Sequence, residues 1–333
     1  MGCIERAPIR HVSVSTRQQL GNPQPKLYTG PYQAYRRAVH MGDTQRFQQI
    51  HIDVARNATD DFNPFHDKNR WQRVANNPVP APIALGFQLE CLIENSMRLY
   101  RMQHDESALM ENENLRFSHY EFKFVNAVQA NQEIDVIIKD SRYKPGDNPT
   151  LSNRVSLKAD GKLAVAGYKR ESNSPLSLPD IDLAALGDLN QAQDRSFLAN
   201  KDLFLKRKYM TTSNAKNFLS SALVEQSDYI DEIDDRVQFP EIFPCALLSC
   251  ALLERAMQQG HDFEREPMVY KSHTISIDRE YLRQLRSNDV LHLLSRHTDP
   301  AAQTPVYDCF GVIGSERVLF RAKIDLMPLA SGA

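Results

Sequence analysis

The segment Asp61-Phe-Asn-Pro-Phe-His66 carries the sharpest chemical signal in the sequence. With residue frequencies of about 5% each, its four fixed positions, Asp-x-Asn-Pro-x-His, arise by chance roughly 0.002 times in a chain this long. Asn63-Pro64 forms turns, because the proline pushes the residue before it out of helical geometry. A tight turn can aim the Asp61 carboxylate and the His66 imidazole at one point, where they could hold and activate a water molecule. On these residues alone, the alternative is that Asp61 caps a helix and His66 lies on the surface.

The elements that must position this motif can be predicted from periodicity. Apolar residues recur at three- and four-residue spacing over 47–58, which predicts a helix just before the motif. A long helical pattern follows from Ile83 to about Tyr100, after a proline-rich stretch. Strand patterns then occur at 115–125, 133–140 and 151–170, the last with a hairpin turn at Asp160-Gly161.

The same order of elements returns in the second half of the chain, with a helix predicted over about 243–258. The pattern from Val79 to Met97 matches the pattern from Phe239 to Met257 at a constant offset of 160 residues. Self-similarity of this kind predicts a duplicated domain, and the alternative is two unrelated α+β units. A long apolar helix followed by several long strands predicts a hot-dog unit, in which an antiparallel sheet wraps a central helix. The fold class is therefore α+β, a tandem (double) hot-dog.

The predicted boundaries divide the chain into four parts. Residues 1–34 form an N-terminal arm, 35–170 the hot-dog domain with the motif, 171–200 a linker, and 201–333 a degenerate second hot-dog domain. A first strand is predicted at Tyr35–His40. A lone hot-dog leaves strand edges exposed, so we expect the two sheets to join edge to edge within the chain. A homodimer stays open as a further assembly.

The motif resembles that of the MaoC-like dehydratase family, whose best-known members are the (R)-specific enoyl-CoA hydratases. Their motif reads Gly-Asp-x-Asn-Pro-x-His, and a glycine opens their central helix, where this chain has Gly86. The resemblance covers about residues 35–170, and 200–325 resemble a degenerate copy. It implies that Asp61 and His66 bind the catalytic water and that the Gly86 N–H receives the thioester carbonyl. Asn63 and Phe87 are further candidates for substrate contact.

The chemistry of hydration agrees with these roles. Adding water to an enoyl thioester needs a water at C3 and a proton at C2, while charge builds on the thioester oxygen. An N–H group at the start of a helix stabilises that charge, and Gly86 has no Cβ to keep a thioester away. The alternative for Gly86 is close packing of the helix start against a strand.

We therefore expect an enoyl-thioester hydratase or 3-hydroxyacyl-thioester dehydratase, an enzyme of the lyase class. Its partner would be an acyl-CoA or an acyl carrier protein, with no cofactor beyond the CoA or phosphopantetheine that carries the substrate. The alternatives are a non-catalytic protein that binds acyl thioesters and an acyl thioesterase. A protein that only binds has no need of both Asp61 and His66, which favours the lyase.

Three positions depart from the family pattern. The glycine before the motif is Asp60 here, the histidine before the helix glycine is Leu85, and a helix serine is Glu94. Glu90 and Glu94 lie one turn apart on an otherwise apolar helix. Asp60, Glu90 and Glu94 are therefore accessory site candidates, with a solvated or interface position as the alternative.

Basic residues follow the motif at Lys68, Arg70 and Arg73. They are candidates for contact with a CoA or phosphopantetheine phosphate, and solvent-exposed side chains are the alternative.

The second half lacks the motif. Aligned from its first helix, Tyr229 falls opposite Asp61, and Asp234 falls opposite His66. Ala246 replaces Gly86. We expect no hydration in this half, and the resemblance implies that it shapes a tunnel for a long acyl chain.

Composition excludes several classes of function. The 333 residues carry a net charge of −2, which gives no field to attract nucleic acid. A mean hydropathy of −0.49 and the lack of long apolar runs argue against a membrane span. Five scattered cysteines and a start without a signal-peptide pattern indicate a cytoplasmic protein. The sequence has none of the common metal-binding motifs, so we expect no metal site.

Overall fold

Each half of the chain builds one long buried helical segment and a set of antiparallel strands. The computed structural model describes residues 45–198, 202–299 and 304–328. The predicted arm and the strand predicted at Tyr35–His40 lie outside the described residues. The two halves belong to one unit, Thr44–Ala333.

The described part of the first half contains three α-helices and six strands. The helices are α1 (Gln49–Thr59), α2 (Gly86–Gln103) and α3 (Glu106–Asn112). The strands are β1 (Gln45–Arg46), β2 (Phe117–Phe124), β3 (Glu133–Ile138), β4 (Arg142–Lys144), β5 (Thr150–Ala159) and β6 (Lys162–Ser172).

The described part of the second half follows the same plan with more interruptions. Its helices are α4 (Thr212–Ser221), α5 (Phe243–Ala246), α6 (Leu248–Gln258) and α7 (Arg279–Gln284). Its strands are β7 (Ser196–Leu198), β8 (Leu203–Tyr209), β9 (Ile230–Asp231), β10 (Arg236–Val237), β11 (Met268–Asp278), β12 (Val290–His297), β13 (Val306–Ile313) and β14 (Arg317–Pro328). The continuous helix predicted over 243–258 is divided at Leu247 into α5 and α6.

One long sheet runs through both halves. Its strand order is β1-β3-β5-β6-β2-β11-β14-β13-β12-β8-β7, with β4 paired to β5. The strands follow in equivalent order on both sides of the centre, where β2 pairs with β11. This antiparallel pairing extends from Phe117 opposite Asp278 to Lys123 opposite Ser272. The sheets of the two halves therefore join edge to edge, as the duplication predicts. Within the described ranges, no helix has the length and apolarity that a bilayer span requires.

Local sequence explains the turns that matter most. Asp160 and Gly161 both have positive φ, at 48° and 74°, which is the geometry of a two-residue hairpin between β5 and β6. Asp60 ends α1 in the left-handed region, at φ 53° and ψ 34°. Glycine adopts that conformation most easily, and aspartate tolerates it because its short side chain can bond locally.

Two buried carboxylates on α2 fasten it to the second half. The Glu90 carboxylate lies 3.1 Å from Nδ1 of His273 on β11, and neither side chain has any exposed surface. Glu94 accepts hydrogen bonds from the backbone N–H groups of Glu241 and Ile242, at 2.8 and 3.0 Å. The polar positions on this apolar helix are thus interface positions, which was the alternative expectation for them.

Replacing the Glu90–His273 pair should show strong coupling in stability. His273→Phe alone should cost about 3–5 kcal/mol, because it leaves a buried carboxylate unpaired. Glu90→Leu alone should cost about 1–3 kcal/mol, because it leaves an unsatisfied imidazole nitrogen. The double variant should recover most of the loss, since apolar side chains then meet in the same space. Urea unfolding of the four proteins measures the free energies.

An exposed ion pair supplies the control for this cycle. Lys216 and Glu232 are paired on the surface, and replacing either by Ala should change stability by less than about 1 kcal/mol. If the losses in the free energy of unfolding of the two buried single variants simply add in the double variant, Glu90 and His273 do not form the coupled pair that we infer.

Candidate active site

A cavity of about 450 Å³ lies where the motif loop, the start of α2 and the second half meet. Both halves contribute to its wall. The motif loop and α2 supply Asp61, Asn63, His66, Gly86 and Leu89, and the second half supplies Ser249, Leu252, Leu253, Ala256 and Tyr270. Most of the wall is apolar, and Asp61, Asn63 and His66 of the motif are among its polar residues.

The motif loop is held in shape by its own side chains. The Asp61 carboxylate accepts a hydrogen bond from the backbone N–H of Asn63 at 3.0 Å. The Asn63 side-chain oxygen accepts from the N–H of Phe65 and caps the short 3-10 turn Pro64–His66. The Asn63 amide also donates to the carbonyl of Met268 at 3.3 Å, which ties the loop to β11. Asn63 lines the cavity, but its side chain is engaged in these contacts.

Asp61 and His66 face each other at the cavity. His66 Nε2 lies 3.9 Å from Asp61 Oδ2, which is too long for a direct hydrogen bond. His66 Nδ1 lies 2.8 Å from the carbonyl oxygen of Ile83, so that nitrogen must carry the proton it donates. In the neutral ring, Nε2 is then an acceptor directed toward Asp61. The convergence predicted from the motif is present.

Burial sets the charge state of this histidine. The side chain is only 8% exposed, and burial lowers the pKa of His66. The charge of Asp61 and the bond to Ile83 act in the opposite direction without cancelling the effect of burial. The imidazole is therefore neutral at pH 7 and able to accept a proton.

Gly86 is the first residue of α2 and lines the cavity. The first N–H groups of a helix have no acceptor within it, and they carry the positive end of the helix dipole. A Cβ on Gly86 would lie 3.1 Å from ring atoms of Phe124 and Tyr270. The close packing that sequence analysis gave as an alternative is thus also present, because two aromatic rings crowd this position.

Four other predicted residues lie outside the cavity wall. Phe87 is buried and stacks on His273, with ring centroids 4.5 Å apart. Asp60 is largely exposed and pairs with Lys208 of β8. Glu90 and Glu94 bind the second half, as described above. In the part of the chain that the structure describes, none of these four side chains lines the cavity.

The predicted phosphate contacts are also placed away from this cavity. Lys68, Arg70 and Arg73 are exposed, and Lys68 lies 3.8 Å from Asp53. Lys162, at the start of β6, does line the cavity, and sequence analysis did not select it. Its place could not be read from the motif, because β6 follows the motif by almost a hundred residues.

The second half supplies two polar groups that the sequence patterns do not single out. The Tyr270 hydroxyl and Ser249 Oγ lie 2.7 Å apart, and both residues line the cavity. Burial, and then the charge of Asp61, raise the pKa of Tyr270 well above its ordinary range. The repeat pointed to the elements, because α6 and β11 are the counterparts of α2 and β2, but it did not give the direction of the Tyr270 side chain.

A second cavity, of about 410 Å³, lies at the corresponding place for the other half. Tyr229 stands in its wall, where the alignment placed it opposite Asp61, and Asp234 lies exposed on the β9–β10 turn. Charged side chains make up much of the wall, among them Glu94, Arg101, Lys169, Glu171, Glu241 and Arg279.

Several of the charges around the second cavity are paired with one another. Lys169 Nζ lies 2.7 Å from Glu171, and Arg279 Nε lies 2.6 Å from Glu241. Burial alone would raise the pKa of Glu171, but Lys169 and the neighbouring arginines lower it to about 2. No group of three or more His, Cys, Asp or Glu side chains in the described ranges is placed to hold a metal ion.

Comparison with known proteins gives structural matches only. No protein-family model matches the sequence, and no curated protein matches it. A MaoC-like dehydratase superposes with a TM-score of 0.51 and 10% identity, over 85% of this chain and 95% of that chain. A double hot-dog protein of Mycobacterium tuberculosis superposes with a TM-score of 0.52 and 10% identity, over 85% of this chain and 93% of that chain.

An acyl-CoA thioesterase II from Mycobacterium marinum matches more weakly, with a TM-score of 0.39 and 10% identity over 66% of this chain and 82% of that chain. At 10% identity, the two matches with TM-scores above 0.5 show the fold alone. The double hot-dog fold predicted from the sequence is confirmed.

Replacing Glu94 with Gln should flatten the pH dependence of stability between about pH 4.5 and 7. Burial, together with the charge of Glu241, raises the pKa of Glu94 from 4.5 to about 7. The folded state then retains a proton that the unfolded chain releases. The stabilisation from this group is complete below pH 4.5 and is lost as pH rises toward 7. Its full extent is on the order of 3 kcal/mol.

Urea unfolding at several pH values between 4.5 and 7.5 measures this effect. Glu316→Gln, which removes an exposed carboxylate, should leave the wild-type slope unchanged. Parallel curves for wild type and Glu94→Gln would refute the assignment.

Proposed function

We propose that this chain is an (R)-specific enoyl-thioester hydratase, which in reverse is a 3-hydroxyacyl-thioester dehydratase. The observation that carries the proposal is the 3.9 Å separation of His66 Nε2 and Asp61 Oδ2 beside the first residue of α2. The (R) configuration rests on the resemblance of the motif to that of (R)-specific hydratases.

A water molecule suits the space between the two side chains. Two hydrogen bonds of about 2.8 Å that meet at roughly a right angle span about 4 Å. The neutral His66 takes a proton from this water at Nε2, while Asp61 accepts its second hydrogen bond. The water oxygen attacks C3 of the enoyl thioester, and the proton is delivered to C2. The sum of these steps is the addition of one water molecule.

The start of α2 stabilises the thioester oxygen of the substrate. As the C3–O bond forms, negative charge moves onto the thioester oxygen. The N–H of Gly86 and the helix dipole are fixed donors for that charge, and they act in a largely apolar cavity. Leu252, Leu253 and Ala256 form an apolar wall on which an acyl chain can lie.

The substrate carrier would be CoA or an acyl carrier protein. Adding water changes no net oxidation state, so the reaction as written needs no redox cofactor. Lys162 in the cavity wall is a cation that a carrier phosphate could meet.

Incubation with crotonyl-CoA and with longer enoyl-CoAs tests the proposal. Loss of the enoyl absorbance without release of free thiol is the expected result. Release of thiol would point to a thioesterase. Binding without either change would point to the non-catalytic alternative.

Asp61→Ala and His66→Ala should each lower kcat by a factor of about 10² to 10⁴, the usual contribution of a positioned acid–base group. The reason is the loss of one of the two groups that hold and deprotonate the water. Initial rates of enoyl-CoA hydration measure the effect, and circular dichroism verifies that the variants are folded.

Matched controls are available for both residues. Asp234→Ala removes an exposed carboxylate from the β9–β10 turn, and His104→Ala removes an exposed imidazole after α2. Both should keep wild-type kcat. Full activity in His66→Ala would rule out the mechanism.

The pH profile of kcat/KM should fall on the acidic side, with its limb below pH 6.5. Burial lowers the pKa of His66, and protonation at Nε2 removes the base. Stopped-flow rates between pH 4.5 and 8 locate the limb. A rate that rises as pH falls would show that a protonated group is required instead.

A further inference from the structure

Two hydroxyl groups from the second half face the motif across the cavity. Tyr270 comes from β11, Ser249 comes from α6, and their oxygens are 2.7 Å apart. Ser249 is 2% exposed, and its neighbours in the cavity wall include Leu252 and Leu253. A polar pair placed in apolar surroundings needs a physical reason, because burial of hydroxyl groups is costly.

The pair of hydroxyl groups has one proton that the bond between them does not use. Two hydroxyl groups have two protons, and the bond between them uses one. When Ser249 donates to Tyr270, the Tyr270 proton remains available. Within the described ranges, the bond to Ser249 is the hydrogen bond found for the Tyr270 hydroxyl. In that arrangement the phenol is a donor that a ligand in the cavity can satisfy.

A bulge in β11 aims Tyr270 at the cavity. The pairing of β11 with β14 shifts between Tyr270 and Ser272, so Lys271 is the extra residue. In a regular strand Tyr270 and His273 would face opposite sides, because side chains alternate. The bulge puts both on the same side, and their ring centroids are 4.4 Å apart.

Aromatic neighbours fix the Tyr270 ring against the start of α2. Phe87 meets it edge-on, with centroids 5.6 Å apart, and Phe124 lies at 6.3 Å. A Cβ on Gly86 would lie 3.1 Å from Tyr270 Cδ2. The phenol is thus held beside the same helix start that borders the cavity.

We propose that the Tyr270 hydroxyl, held by Ser249, donates a hydrogen bond to the thioester carbonyl oxygen of the substrate. This inference rests on the proposed function and names a second donor for the charge that develops there, beside Gly86. Tyr270 is then a catalytic residue supplied by the second half, and Ser249 is a positioning residue that acts through it.

The electrostatics of the site support a donor. Burial and the Asp61 charge raise the pKa of Tyr270, so the phenol keeps its proton throughout the working pH range. A phenol that stays protonated can stabilise a developing enolate, and it cannot compete with His66 as the base.

Tyr270→Phe is the central test, because it keeps the ring and removes only the hydroxyl. With enoyl-CoA substrates we expect kcat to fall by about 10- to 100-fold, with KM within about threefold of wild type. That is the pattern for an interaction made mainly in the transition state. Ser249→Ala should lower kcat less, and the double variant should be no slower than Tyr270→Phe, because Ser249 acts through the phenol.

Tyr120→Phe is the matched control. Tyr120 is a buried tyrosine on β2 whose hydroxyl donates to Glu241 beside the second cavity. The same substitution there should leave kcat unchanged. Wild-type kcat in Tyr270→Phe, while His66→Ala is inactive, would overturn this inference and leave the proposed function standing.

A measurement without turnover separates the two proposals. The probe is the analogue of butyryl-CoA in which a methylene replaces the thioester sulfur, with a ¹³C-labelled carbonyl. It can be neither hydrated nor hydrolysed. We expect its carbonyl stretch to move to lower frequency on binding to wild type and to move less in Tyr270→Phe. If wild type hydrates nothing, the proposed function fails, yet this difference would still support the donor. An equal shift in both proteins, or no binding, would overturn it.

Discussion

The antiparallel pairing of β2 with β11 is the contact on which the rest of the molecule depends. It joins the two half-sheets, from Phe117 opposite Asp278 to Lys123 opposite Ser272. This register sets His273 against Glu90 on α2, and the bulge beside it turns Tyr270 into the cavity. A slip of one residue would send these side chains to the other face of the sheet. The candidate site therefore depends on the interface between the halves, although the motif belongs to one half alone.

The carboxylates on α2 show why the joint has a single arrangement. Glu90 and Glu94 are almost completely buried, and each would be costly without a partner. The second half provides both partners, an imidazole for Glu90 and two backbone N–H groups for Glu94. Buried pairs of this kind add little net stability, but breaking one is strongly unfavourable. They consequently select one docking of the halves against all others.

Local and periodic signals made the fold predictable, and they explain what was missed. The hairpin at Asp160-Gly161 depends on two residues, and the 160-residue offset depends on a repeated pattern. The convergence of Asp61 and His66 follows from one turn. Tyr270 could not be found in this way, because its direction depends on a bulge that breaks the alternation of β11.

The two cavities of the duplicated fold differ in the side chains that line them. Around the second cavity, Tyr229 stands where the alignment has Asp61 in the first half, and Arg116 lies just before β2. Paired charges line that cavity, and their neighbour Glu241 offers its backbone N–H to Glu94. A wall of mutually paired charges has little capacity left to activate water, but it anchors α2. The half without the motif thus fixes the helix whose first residue borders the other cavity, and it supplies that cavity with Ser249 and Tyr270. Neither half alone contains the complete set of groups.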